Sequence, residues 1–299
     1  MGRKKLWLPF IACIGMLVAC GGGEHEQITK DKQEVRAVAA KGIATEEVIV
    51  STTPIQDLVV SEVIAEARKV AQHSTAHEGV VKAYEQWFIG DELQTQYFET
   101  TYEQDESIEG ERGGHMLHYS QKISTDEMEV QNEYYINPSV VEYKYYGEIN
   151  EWISVDLEFV DPEYTERVRY LSPDDFLAMA EKYLDTIKIL RVDEESYEIE
   201  FAPTEEDLET LIRNSTEPES YLFKEMFAYQ YESPMVVLTF NPTDFKLVDA
   251  LFSVDFQNTG NEGERMELSA QQHYNSYSLT NEISPPATVF QQTGISIWQ

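Results

Sequence analysis

Apolar and polar residues along most of this chain alternate with a period of two. Leu117, Tyr119 and Ile123 alternate with His118 and Lys122, and Met128, Val130, Tyr134 and Ile136 with Glu129, Gln131 and Glu133. The same rule covers Ile153, Val155, Leu157 and Phe159, then Ile199 and Phe201. It returns in Val248, Ala250, Phe252, Val254 and Phe256, and again in Met266, Leu268, Ala270 and Tyr274. Each run predicts a strand with one wet face, which belongs to an antiparallel sheet, because central strands of a parallel sheet are apolar on both sides.

Three stretches follow the helical period instead. Thr53-Pro54-Ile55-Gln56 reads as a capping box with proline at the first helical position, and Val60, Val63, Ile64, Ala67 and Ala71 carry the apolar stripe to about Gln72. Ser172-Pro173-Asp174-Asp175 starts a second helix, with Phe176, Ala180, Tyr183, Leu184 and Ile187 inward. Thr204-Glu205-Glu206-Asp207 starts a shorter one, with Leu208, Leu211 and Ile212 inward, while residues 217–232 fit helix or strand equally. The predicted fold class is α+β: a single large curved antiparallel sheet, a half-barrel, with two to four helices on its concave face. A coiled sheet covered by straight helices leaves room for an apolar pocket between them.

The N-terminus departs from both periods. Arg3, Lys4 and Lys5 precede an apolar run from Leu6 to Ala19, which ends at Cys20 and a Gly21-Gly22-Gly23 segment. This is the pattern of a secretory signal, and at about 1.5 Å per residue the run reaches only ~21 Å, short of a ~30 Å hydrocarbon core. Leu17-Val18-Ala19-Cys20 resembles a bacterial lipobox, which implies cleavage between Ala19 and Cys20 and lipidation of the Cys20 thiol. The expected organisation is a signal peptide over 1–19, a lipidated cysteine and flexible tether over 20–52, a folded domain over 53–286 and an irregular tail over 287–299.

Composition narrows the partners. The 299 residues carry 22 Lys+Arg against 55 Asp+Glu, a formal charge of −33. Nucleic acid is excluded as a partner, because phosphate recognition needs a basic surface. With 42% hydrophobic residues the chain is too apolar to be a disordered acidic tail. The chain has two cysteines; with Cys13 in the expected signal and Cys20 lipidated as the lipobox resemblance implies, no disulfide and no catalytic thiol would remain.

The order of these elements, with Glu133-Tyr134-Tyr135, Tyr143-Lys144-Tyr145-Tyr146, Trp152-Ile153, a Thr243-Asp244-Phe245 turn and a closing Tyr274-Asn275-Ser276-Tyr277 to Pro285, resembles Gram-positive surface lipoproteins of an uncharacterised family. These are similar to the LolA and LppX type half-barrel lipoprotein carriers. The resemblance implies a cavity for acyl chains between sheet and helices, and transfers no ligand contact position by position. The acidity here departs from what a carrier of anionic lipids would favour near its mouth.

The sequence contains no Gly-x-Ser-x-Gly, Walker loop, dinucleotide fingerprint or His-Glu-x-x-His. Acidic pairs such as Asp174-Asp175 and Glu205-Glu206 read as helix-start charges. His73 and His77 would share a helix face only if the first helix continued through them, and His115 and His118, three apart on a strand, point to opposite faces. No metal, cofactor or catalytic residue is therefore expected. Eighteen tyrosines suit sheet surfaces and amphipathic ligands alike. The expected protein is a non-enzymatic, monomeric lipoprotein, held on the outer face of the cell membrane by Cys20. It would bind a lipid or other amphipathic ligand against Val63, Ala67, Met128, Val130, Tyr134, Phe176, Ala180 and Tyr183. Two alternatives remain open at this level: a cell-surface interaction or sensor module with an acidic binding face, and a wall-acting hydrolase using paired carboxylates.

Overall fold

The computed structural model describes residues 51, 53–89, 92–106, 116–125, 128–136, 141–146, 151–156, 169–215, 229–260, 264–278 and 283. The signal, Cys20, the tether apart from Ser51, and the tail from 287 lie outside the described residues.

Helix α1 (Val60–Gln72) leads into six strands, β1 (Ala76–Ile89), β2 (Glu92–Asp105), β3 (Met116–Thr125), β4 (Glu129–Ile136), β5 (Val141–Tyr146) and β6 (Glu151–Asp156). Then come α2 (Pro173–Glu181), β7 (Lys188–Val192), β8 (Tyr197–Phe201), α3 (Glu205–Ser215), β9 (Tyr229–Phe240), β10 (Leu247–Asn258) and β11 (Glu264–Ser278). All eleven strands form one sheet in the order β6-β5-β4-β3-β2-β1-β11-β10-β9-β8-β7. Every pairing is antiparallel. Among the described residues the sheet is open, its edges being β6 and β7, and its first and last strands meet in the middle. The α+β architecture with an open antiparallel sheet matches the alternation in the sequence.

The three helices cover one face. Val63, Ile64 and Ala67 of α1, Phe176, Leu177 and Ala180 of α2, and Leu208 and Leu211 of α3 share a core with Ala83, Phe98, Ile199, Phe201, Val236, Leu238, Phe252, Leu268 and Ala270. Alternating inward residues of β8–β11 thus meet helical stripes of period 3.6. Helices α1 and α2 are tied by Arg68, whose guanidinium spans Asp174 at 2.8 Å and Glu181 at 2.6 Å. Asp175 of the first acidic pair acts at its helix start: it accepts from the Ser172 backbone at 2.8 Å while Ser172 Oγ accepts from the Asp175 amide at 3.2 Å, a reciprocal cap. Asp207, in the first turn of α3, accepts from Lys182 and from the Tyr183 hydroxyl, each at 2.6 Å.

The structure corrects several details. The box at Thr53 forms only a 3₁₀ turn over Ile55–Asp57, which buries Ile55, and α1 restarts at Val60 after Glu62 reaches back to the Val59 amide at 3.0 Å. Helix α2 stops at Glu181, so Tyr183, Leu184 and Ile187 lie beyond it, where Tyr183 O accepts from the amides of Thr186 and Ile187. Strands β1 and β2 have no clean alternation to announce them, since their inward positions include Gly79, Glu85, Thr100 and Gln104. Strand β7 is exposed at all five residues, so it too lacks a pattern.

Candidate functional site

Ala83 and Phe98 join the helix-covered core, but the inward face of β1–β4 beside Tyr170 is filled differently. A second apolar cluster forms there from Val81, Tyr102, Leu117, Tyr119, Tyr134, Ile136 and Tyr170. The register arranges its tyrosines in a row across strands, Tyr102 opposite Tyr119 and Tyr119 opposite Tyr134. Tyr119 and Tyr134 stack at 4.4 Å with 13° between their planes, and Tyr170, just ahead of α2, stacks on Tyr102 at 4.4 Å.

Two residues along each strand toward the opposite end of the sheet lies a polar row. Gln272 pairs with Val81, Val81 with Thr100, Thr100 with Gln121 and Gln121 with Asn132, so the row crosses β11, β1, β2, β3 and β4. At about 4.8 Å between strands it is ~19 Å long. Beyond it on β2–β4 comes an apolar row of Phe98, Ile123 and Val130. Amides sit where alternation calls for apolar side chains, and they are buried: Gln272 is 1% exposed, Gln121 3% and Asn132 8%. Gln272 Oε1, Gln121 Oε1 and Asn132 Oδ1 have no hydrogen-bond partner, and they are three of the four buried side-chain atoms in that condition among the described residues. Each unmet buried acceptor costs about 1–3 kcal/mol, so one row of them is an expensive way to fill a core.

A clasp closes the end of this face. Gln104 on β2 accepts from the Tyr170 amide at 2.9 Å and donates to the Tyr170 carbonyl at 3.0 Å. The Leu171 carbonyl receives Gln272 Nε2 at 2.8 Å and the Tyr274 hydroxyl at 2.7 Å. Gln272 Nε2 also donates to the Tyr102 hydroxyl at 2.8 Å. Burial pushes the phenols of Tyr102 and Tyr274 well above their ordinary value, so both remain neutral donors. His77 belongs to this clasp: it is 2% exposed on β1, with Nδ1 3.3 Å from Tyr102 Oη and Nε2 3.3 Å from Gln104 Nε2. It shares no face with His73, which caps the exposed end of α1. His118 lies on the other face of the sheet, 2.9 Å from Glu133, and His115 lies outside the described residues. Among the described residues no group of three or more His, Cys, Asp or Glu side chains is placed to hold a metal ion.

At the clasp's rim, Glu106 accepts from Gln104 Nε2 at 2.8 Å and lies 3.6 Å from Arg169. Burial raises its pKa above the ordinary 4.5, against the pull of Arg169 and with reinforcement from Asp175. A carboxyl with a raised folded-state pKa contributes most to stability below its unfolded value and loses that contribution as pH climbs through the folded one. Glu106→Gln keeps the acceptor for Gln104 and removes the titration. Relative to wild type, the variant is expected to gain stability as pH rises from 4 to 7 in urea denaturation; a constant difference across that range would contradict the assignment.

The predicted lining divides between the two clusters. Val63, Ala67, Phe176 and Ala180 are fully packed in the helix-covered core, and Tyr183 is half-buried beside Asp207. Tyr134 and Val130 flank Asn132 on β4, one in the tyrosine row and the other in the apolar row, and Met128 is exposed at the start of that strand. The sequence reading missed Thr100, Gln121, Asn132 and Gln272, although a polar residue at an apolar position of a strand is a readable signal. A separate cleft of ≈410 Å³ lies between the β9–β10 turn and the end of β11, with Asp244, Lys246, His273 and Tyr277 in its wall. It is walled by side chains paired with one another or with backbone: Lys246 lies 3.2 Å from Asp244, and Tyr277 donates to the Leu247 carbonyl.

No family model matches the chain, and no curated protein matches it. Among solved structures it is similar to a DUF1329 family protein from Desulfovibrio piger, at 12% identity over 81% of this chain and 99% of that one, with a TM-score of 0.21. It is also similar to a structure described as an outer membrane lipoprotein-sorting protein domain from Vibrio parahaemolyticus, at 10% identity over 80% of this chain and 97% of that one, with a TM-score of 0.22. Among the described residues no helix is long and apolar enough to cross a membrane.

Proposed function

We propose that this chain is a lipid-anchored extracytoplasmic lipoprotein that binds an amphipathic ligand and carries it without making or breaking a bond. The observation that supports it best is the inward face of β1–β4, where a tyrosine row, a row of buried unsatisfied amides and an apolar row run side by side. Such a face offers hydrogen-bond acceptors and apolar surface to one molecule at once. Binding would draw on burial, worth about 0.8 kcal/mol per methylene, and on partners for acceptors that now have none. The anchor would be Cys20, with the segment to residue 52 as its tether; about thirty residues of flexible chain span roughly 30 Å. The strongly negative body would be repelled by anionic headgroups, so acyl chains rather than charge would keep it at the membrane.

The test is extraction. Protein purified in mild detergent from its own membranes, then washed and extracted with organic solvent, is expected to release a stoichiometric amphipathic molecule that mass spectrometry distinguishes from the covalent Cys20 lipid. Release of nothing but detergent, from protein whose tyrosine signals show it folded, would overturn the reading.

A further inference from the structure

We infer that the polar row across β11 and β1–β4, with its amides on β11, β3 and β4, is a subsite for an uncharged, hydroxyl-rich group of the carbohydrate type, lying across the strands. The inference rests on the amphipathic-ligand reading and gives that ligand its chemical class. The three unpartnered atoms, Gln272 Oε1, Gln121 Oε1 and Asn132 Oδ1, are acceptors, so their natural complement is a donor. They stand on one register row, Gln121 directly opposite Asn132 and Gln272 three strands away, so the complement must present several donors along a line. A single amine or a lone hydroxyl would satisfy one of them and leave the others unmet.

Charge selects further. No lysine or arginine stands among the five residues of the row, so a phosphate or carboxylate placed there would meet amide oxygens with no cation to balance it. The chain's charge of −33 disfavours the same anions at long range. Hydroxyls carry no such penalty. The flanking Tyr102, Tyr119 and Tyr134 add a further fit, since their ring bodies are apolar and can lie against the C–H faces of a sugar ring. The opposite flank, Phe98, Ile123 and Val130, suits an attached hydrocarbon. The sugar-bearing part could be the headgroup of a glycolipid or a free oligosaccharide, and the two share the same donors.

The row is closed over in this structure, so an occupant displaces part of the cover. The clasp at Tyr170 and Leu171 is the hydrogen-bonded part of that cover that touches the row itself, through Gln272.

The experiment uses the folded chain and three probes below their micelle concentrations: dodecyl maltoside, dodecanoate and maltose. Binding is read by isothermal titration calorimetry. Wild type is expected to bind dodecyl maltoside at least tenfold more tightly than dodecanoate. In Gln121→Leu/Asn132→Leu that preference should vanish while dodecanoate binding stays, and thermal stability should hold or rise because two unmet acceptors are gone. Maltose binding as tightly as dodecyl maltoside assigns the row to free oligosaccharides; maltose binding much more weakly assigns it to glycolipids. Equal binding of dodecyl maltoside and dodecanoate by wild type overturns the hydroxyl class and leaves the amphipathic reading standing. Failure of all three probes to bind overturns both. The wild-type preference decides the matter even where the double variant does not fold.

Discussion

Gly79→Ala is expected to lower the stability of this protein by about 1–3 kcal/mol or more, a larger loss than from Gly260→Ala. The Cβ it introduces would lie 2.2 Å from the His273 carbonyl oxygen and 2.9 Å from the Tyr102 hydroxyl. The first of these is backbone and cannot rotate away, so β1 and β11 would have to separate, and overpacking of this kind costs about 1–3 kcal/mol or more. Gly79 stands at the irregularity in the β1–β11 register, where Glu78 pairs with Ser276 and Gly79 with Tyr274, so the two strands already approach closely there. The same methyl would push Tyr102 off Gln272 and loosen the clasp on Leu171. Urea denaturation compared with Gly260→Ala is the check. At Gly260 the nearest atom to an added Cβ is the Asn258 side-chain oxygen at 3.3 Å, which can shift at small cost. Equal losses in the two variants would show that the close approach at Gly79 is not the cause.

Cys20→Ser, made behind a signal whose removal does not depend on Cys20, is expected to move the protein wholly from the membrane fraction to the soluble fraction of the envelope or medium, and to abolish incorporation of labelled palmitate. The physical case is a competition. Two acyl chains are enough for stable anchoring, each methylene contributing about 0.8 kcal/mol. Against them acts a chain with 55 acidic and 22 basic residues, which anionic headgroups repel. Removing the acceptor thiol leaves only the repulsion. Persistence of the serine variant in washed membranes, in low and high salt alike, would mean that something other than Cys20 holds the chain there.

Strand alternation made the fold legible to the extent that burial made it one-sided. Strands β3, β8, β10 and β11 bury alternate residues, β4 does so up to Tyr134, and their apolar periods mark them in the sequence. Strand β7 is exposed on both faces and β2 carries Thr100 and Gln104 inward, so neither writes a period into its sequence. Helix α2 was readable at its start, where the Ser172–Asp175 cap is local, and not at its end, where the Tyr183–Asp207 bond joins residues far apart in sequence. The candidate site shows the same division. Tyr134 and Val130 are found by periodicity because they are apolar, whereas Gln121, Asn132 and Gln272 interrupt that periodicity. Their common row exists only after β11, β1, β2, β3 and β4 are set side by side, and pairing of β1 with β11 is not a local property.

That pairing also has a kinetic consequence. On either side of it the sheet consists of sequential neighbours, β1 through β6 and β7 through β11, so each arm can form from contacts between adjacent hairpins. Only β1 with β11 requires the two ends of the domain to find each other. Loop closure grows slowly with length, about 0.6 kcal/mol for each doubling, so the long connection costs little in equilibrium stability. It costs time instead, because non-local pairing slows folding. The amide row runs across that seam, from Gln272 on one arm to Thr100, Gln121 and Asn132 on the other. The complete row therefore exists only once β1 and β11 have paired.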